Sequence, residues 1–136
     1  MIRILNNFLI LIILISCNNS SNVEHRLSKT NIVSPSKYEI INFENDWGVG
    51  EGTEYYELLI SEEDYLKIIF QIKKRPSFTE SNSIPVLNEI NNYDKIDEKA
   101  YYFKNTYYYK IFIPTGYLIS IIVTDNFIMK VYYEDK

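Results

Sequence analysis

Few residues in this sequence have side chains suited to chemistry, and where they sit decides what they can do. There is one cysteine, Cys17, and one histidine, His25. Serine or cysteine nucleophiles need a histidine base, itself held by a third group. Zinc sites draw on clusters of cysteine and histidine. A single copy of each residue supplies neither arrangement. One cysteine also excludes an internal disulfide. The run Gly48-Val49-Gly50-Glu51-Gly52 lacks the Lys-Ser/Thr of a phosphate loop and the G-x-G-x-x-G spacing of a dinucleotide site. One constellation retains chemical content. Trp47, flanked by Asp46, Glu51 and Glu54, offers a ring for stacking a sugar and carboxylates for acid–base work. The competing reading is a surface loop whose tryptophan packs on the core. Asn45, Asp46, Glu51 and Glu54 are also hard oxygen donors, but their spacing does not match an EF-hand loop. The sequence therefore predicts no catalytic residue, no metal site and no cofactor.

The elements that position these residues belong to a small chain. It has 136 residues, 46% hydrophobic and 15% aromatic, with a formal charge of −4. That is enough for one domain. The acidic balance argues against nucleic acid as a partner. There are 13 tyrosines and one alanine, Ala100, a bias toward sheet over helix.

The first residues read MIRILNNFLILIILISC. Arg3 lies in a short basic start, and Phe8 to Ile15 is an unbroken apolar run. This run is too short to span a bilayer, which needs about 20 residues, and has the length of a signal-peptide core. Leu14-Ile15-Ser16-Cys17 resembles the lipobox of bacterial lipoprotein signal peptides: an aliphatic residue, a variable one, a small one, then cysteine. The resemblance covers only this targeting segment. It implies a signal peptide over residues 1–16, lipidation of the Cys17 thiol and cleavage just before it. Each buried methylene contributes about 0.8 kcal/mol, and one acyl chain holds only marginally, so two or more are needed for stable attachment. The partner implied is a lipid bilayer, reached through acylated Cys17, in a bacterial cell envelope. Asn18 follows Cys17, where an aspartate would resemble an inner-membrane retention signal. In a cell with two membranes this favours the outer one.

Residues 17–37 are rich in Asn and Ser, contain Pro35 and show no apolar periodicity. They read as a flexible tether, with His25 solvated within it. Residues 38–136 read as the folded domain. Tyr38 to Glu44 and Glu54 to Ile60 are strand-like and suggest a hairpin. Ser61 is an N-cap, Glu62, Glu63 and Asp64 crowd a first helical turn, and Lys73, Lys74 and Arg75 crowd a last one before Pro76. Tyr65, Ile68, Ile69 and Ile72 form one apolar stripe. Pro85 to Ile90 reads as a short helical turn. Ala100 to Phe103, Tyr107 to Ile113, Tyr117 to Thr124 and Phe127 to Glu134 read as strands separated by turn residues.

Alternation assigns Tyr107, Tyr109, Ile111, Ile113, Tyr117, Ile119, Ile121, Val123, Phe127, Met129, Val131 and Tyr133 to one buried face. The expected fold is α+β: a single two-layer domain, an antiparallel β-meander with one amphipathic helix packed on it. The opposite face carries Tyr108, Phe112, Ile122, Ile128 and Tyr132 among polar residues. Tyrosine and phenylalanine are favoured at interfaces. Tyr108, Phe112 and Tyr132 are therefore the candidates for binding a protein partner, as an immunity-like protein would. A loop covering this face is the competing reading. The function expected is that of a non-catalytic, membrane-anchored binding or envelope protein. The alternative is a small glycan-binding or glycan-active protein that uses Trp47, Asp46 and Glu51.

Overall fold

The computed structural model describes residues 22–83 and 94–135. The signal segment, Cys17 and the turn expected at Pro85 to Ile90 lie outside them. The described chain is a mixed α/β fold. Seven strands form one sheet in the order β1-β2-β7-β6-β5-β4-β3. They are β1 (Tyr38–Trp47), β2 (Gly52–Ile60), β3 (Phe78–Glu80), β4 (Asp97–Phe103), β5 (Thr106–Ile113), β6 (Tyr117–Thr124) and β7 (Ile128–Asp135). Every pairing is antiparallel except β3 with β4.

The hairpin, the helix and the meander expected from the sequence are all present. β4 to β7 follow one another through short turns, as alternating strands and turn residues dictate. Lys104 and Asn105 both take positive φ, 45° and 60°, as the two-residue turn between β4 and β5 requires. The buried face matches the alternation: Tyr109, Ile111, Ile119, Ile121, Val123, Met129, Val131 and Tyr133 are each no more than 2% exposed. Phe127 differs. It belongs to the turn before β7, at φ 61°. Its amide donates to the Thr124 carbonyl and its own carbonyl accepts from Ile60 N–H. Its ring meets Tyr65 edge-on at 5.3 Å, which compensates for a backbone conformation that bulky residues avoid.

Two helices, not one, contribute to this core. The second described helix, α2 (Glu62–Lys73), starts where expected: the Ser61 side chain accepts from Asp64 N–H. It buries Ile68 and Ile72. The first, α1, covers residues 22–28 inside the segment expected to be a tether. Val23 and Leu27 are fully buried, Ile32 is 3% exposed, and all three join the core cluster. Over residues 22–37 the tether expectation is thus replaced by a helix and an extended strap packed on the sheet. The cause is long-range. Val23 and Leu27, four residues apart, share one face of this helix, and burying that face in the core stabilises it. The sheet supplies what the local sequence lacks.

A register shift between Ile40 and Asn42 in β1 sets which face later residues occupy. Beyond it, Phe43, Asn45 and Trp47 lie opposite Tyr56, Glu54 and Gly52, on the core side. Asn42, Glu44 and Asp46 lie opposite Glu57, Tyr55 and Thr53, on the outer side.

Candidate functional site

The most deeply placed carboxylates hold the fold together. Glu54 on β2 is 6% exposed and faces the core. Arg26 of α1 donates to it through Nε and Nη2, both at 2.9 Å, and the Tyr56 hydroxyl donates at 2.9 Å. The Arg26 guanidinium also lies 3.8 Å from the Tyr133 ring centroid. Burial disfavours the charged form of Glu54. The hydrogen bonds from Arg26 and Tyr56 outweigh it and hold the carboxyl below its usual range.

Asp64 plays a second such part. Its carboxylate accepts from Ser36 N–H at 2.9 Å, Lys37 N–H at 3.3 Å and the Ser61 hydroxyl at 3.1 Å. On β4, Glu98 accepts from Arg75 at 2.8 Å and from the Tyr109 hydroxyl at 2.9 Å. Both carboxyls are held low in the same way, burial opposing and hydrogen bonds prevailing. Gln71 Oε1 accepts from Val33 N–H at 2.7 Å. Residues 22–37 are thereby fastened to β2 and α2.

The other sheet face is divided. Toward β4 and β5, Tyr101 is 1% exposed, Phe112 4% and Leu118 8%. Tyr108 is half-buried, and its ring stacks on Tyr101 at 4.6 Å with planes 6° apart. Toward β1, β2 and β7 the same face opens into a groove of about 700 Å³. Its floor is Tyr55 and Tyr132, with ring centroids 4.6 Å apart. Tyr132 is 42% exposed. Glu44, Asp46, Thr53 and Glu134 line the groove around this pair. Burial pushes the Tyr55 phenol up, with Tyr132 and Glu57 adding to the shift, so it stays neutral. Asn42 donates to Glu44 at 3.1 Å. No lysine or arginine lines the groove among the described residues.

The expected site residues separate accordingly. Of the three proposed for a protein partner, Tyr132 is in the open groove. Phe112 is buried, and Tyr108 stacks on Tyr101. Of the three proposed for a glycan, Asp46 joins Tyr132 in the groove. Trp47, the next strand residue, belongs to the core side: its ring covers Gly52 so closely that a Cβ there would overlap it, and Arg26 lies 5.9 Å from its centroid. Glu51 is exposed in the turn beyond. The oxygen donors considered for calcium are likewise split, Glu54 being paired to Arg26 inside and Asp46 lying outside. Among the described residues no group of three or more His, Cys, Asp or Glu is placed to hold a metal.

Tyr55, Glu44 and Glu134 were not anticipated. Strand alternation in EYYELLI pairs Tyr55 with Glu57 against Tyr56 and Leu58, but both sets are mixed, so the sequence leaves their faces undecided. Only the neighbouring strands resolve it.

Fold and site together define a mixed α/β domain with an open, acidic, tyrosine-floored groove beside an edge strand. Comparison with protein-family models, curated proteins and solved structures found no match, so the groove is read from its own geometry.

Proposed function

We propose that the protein is a lipid-anchored, non-catalytic binding protein of the bacterial cell envelope, acylated at Cys17, that holds a protein partner at the Tyr55–Tyr132 groove. The groove carries this reading. It is a concave aromatic surface on a sheet face that helices leave open, and tyrosine supplies large contact area at low entropic cost. We read the domain as two layers, with α1 and α2 backing the sheet so that binding falls to the other face. Support for the anchor is the lipobox-like Leu14-Ile15-Ser16-Cys17. Among the described residues no helix is long and apolar enough to cross a membrane.

Two measurements test this. Labelling with palmitate in a bacterial host should mark the chain, and Cys17→Ser should lose both the label and the membrane fraction. Full-length protein in mild detergent should retain a partner from envelope extract or from products of neighbouring genes. Tyr132→Lys should abolish that capture without lowering the melting temperature. Undiminished capture by Tyr132→Lys would remove the groove from the reading.

A second reading rests on a specific feature. A tyrosine pair beside Asp46 is also a surface on which a sugar ring stacks. Binding on a glycan array, lost in Tyr132→Lys, would favour it. Release of muropeptides from cell-wall material would extend it to glycan cleavage.

A further inference from the structure

The groove adjoins the edge strand of the sheet. β1 is the outermost strand of the sheet, paired to β2, and among the described residues no strand lies on its other side. Such an edge presents a row of backbone donors and acceptors that an extended peptide can pair with. Glu44 and Asp46 alternate on the outer face of this strand, two residues apart, next to Tyr55 and Tyr132. Same-face residues in a strand repeat every ~6.6 Å, and neighbouring strands lie ~4.8 Å apart. A strand added to β1 would therefore set its own alternate side chains beside Glu44 and Asp46. Long cationic side chains from that strand would reach across β1 to the tyrosine floor. There a lysine or arginine meets carboxylates at its head and a ring face along its stem. Glu134 stands on the far wall, and the described lining holds no lysine or arginine.

We infer that β1 and the groove take an extended segment of a partner protein, added as a strand to the sheet, with lysine or arginine at alternate positions. This deepens the groove-binding reading and rests on it. The charge pattern selects the occupant. An acidic or neutral segment gains the backbone pairing but meets the carboxylates of Glu44 and Asp46 with nothing to offset their charge.

The test is fluorescence anisotropy with full-length protein in nonionic detergent. The probes are a peptide of alternating lysine and threonine, its glutamate–threonine twin, the lysine peptide with every backbone amide N-methylated, and spermine as competitor. The lysine peptide should bind at least tenfold more tightly than its acidic twin, and more weakly as salt is raised. N-methylation should weaken it at least tenfold, since strand pairing needs its amides. The isosteric pair Glu44→Gln with Asp46→Asn should weaken it about fivefold, with an unchanged melting temperature. Equal binding of the acidic twin, equal binding of the N-methylated peptide, displacement by spermine without salt-sensitive peptide binding, or indifference to the double variant would each overturn the inference. So would absence of binding. Capture of a partner lost in Tyr132→Lys would still stand in those cases, so failure of this inference is separable from failure of the groove reading.

Discussion

Arg26→Met is the most informative single change, because it asks whether residues 22–37 belong to the fold. Methionine keeps much of the side-chain bulk and removes the charge. Glu54 would then sit 6% exposed without its cation. Removing one partner of a buried ion pair costs about 3–5 kcal/mol. Two features place this site toward the lower end. Arg26 keeps 15% exposure, and the Tyr56 hydroxyl still donates to Glu54. Loss of the guanidinium from the Tyr133 ring adds about 1 kcal/mol, partly counted already. We expect about 3 kcal/mol in all, a large share of the 5–15 kcal/mol typical of a domain.

The assay is urea unfolding of the full-length chain in mild detergent, followed by circular dichroism and by emission of Trp47, which the Arg26 guanidinium approaches at 5.9 Å. Glu54→Gln and the double variant complete a cycle, in which we expect a coupling of about 2 kcal/mol. The pH dependence gives an independent check. The Glu54 carboxyl is held low in the native protein. Its contribution is therefore present above the ordinary carboxylate pKa and fades as pH falls through the depressed value. Without Arg26 the buried carboxyl instead rises and takes a proton readily. The deficit of Arg26→Met should thus be largest near neutrality and shrink toward acid. A deficit below about 0.5 kcal/mol, or one indifferent to pH, would mean that α1 is not clamped and that the segment is a tether after all.

Other outcomes follow from the same packing. Asp64→Ala removes the acceptor for Ser36, Lys37 and Ser61 at once and should lower stability by about 2–3 kcal/mol in urea titrations. Because Glu54, Asp64 and Glu98 are all held low, stability should stay flat above about pH 5 and fall steeply below about pH 4, measured by thermal melts across pH. Gly52→Ala would drive a Cβ into the Trp47 ring. It should cost about 1–3 kcal/mol and shift the tryptophan emission, while leaving binding at the opposite face intact.

Legibility from sequence tracks how local the cause is. The helix α2 was readable because its signals are adjacent: Ser61 caps it, acids open it, and Ile68 and Ile72 stand four apart. The meander was readable because three strands alternate cleanly between short turns. The helix α1 was not, because its stability comes from Glu54, 28 residues away, and from core residues farther still. Polar composition around Val23 and Leu27 looked like a linker since the pattern is only two residues deep. The separation of Asp46 from Trp47 was hidden for a different reason. One register shift between Ile40 and Asn42 decides that Asp46 and Trp47 each land on the face they do. A bulge of that kind leaves no clear mark in the amino-acid order. The outer face was legible in its tyrosine excess, but not in which tyrosines stay open. Phe112 and Tyr132 share the outer face of one sheet, yet one is 4% and the other 42% exposed.

The clamp on α1 also changes what the proposed anchor would do. A tether of about twenty residues would let the domain tumble far from the bilayer. Cys17 stands five residues before Asn22, and five residues span at most about 18 Å. An acylated chain would then hold the domain close to the headgroups. Helix α1 packs on the core face through Val23 and Leu27. The groove of Tyr55 and Tyr132 lies on the opposite face of the same sheet. On the proposed reading, the anchored end of the chain leads into the core-face helix while the proposed binding surface is on the other face, so a partner would reach the groove without displacing the attachment. On that reading Arg26 and Glu54 are the contact on which the arrangement depends, since releasing α1 would leave a longer segment on which the domain could turn.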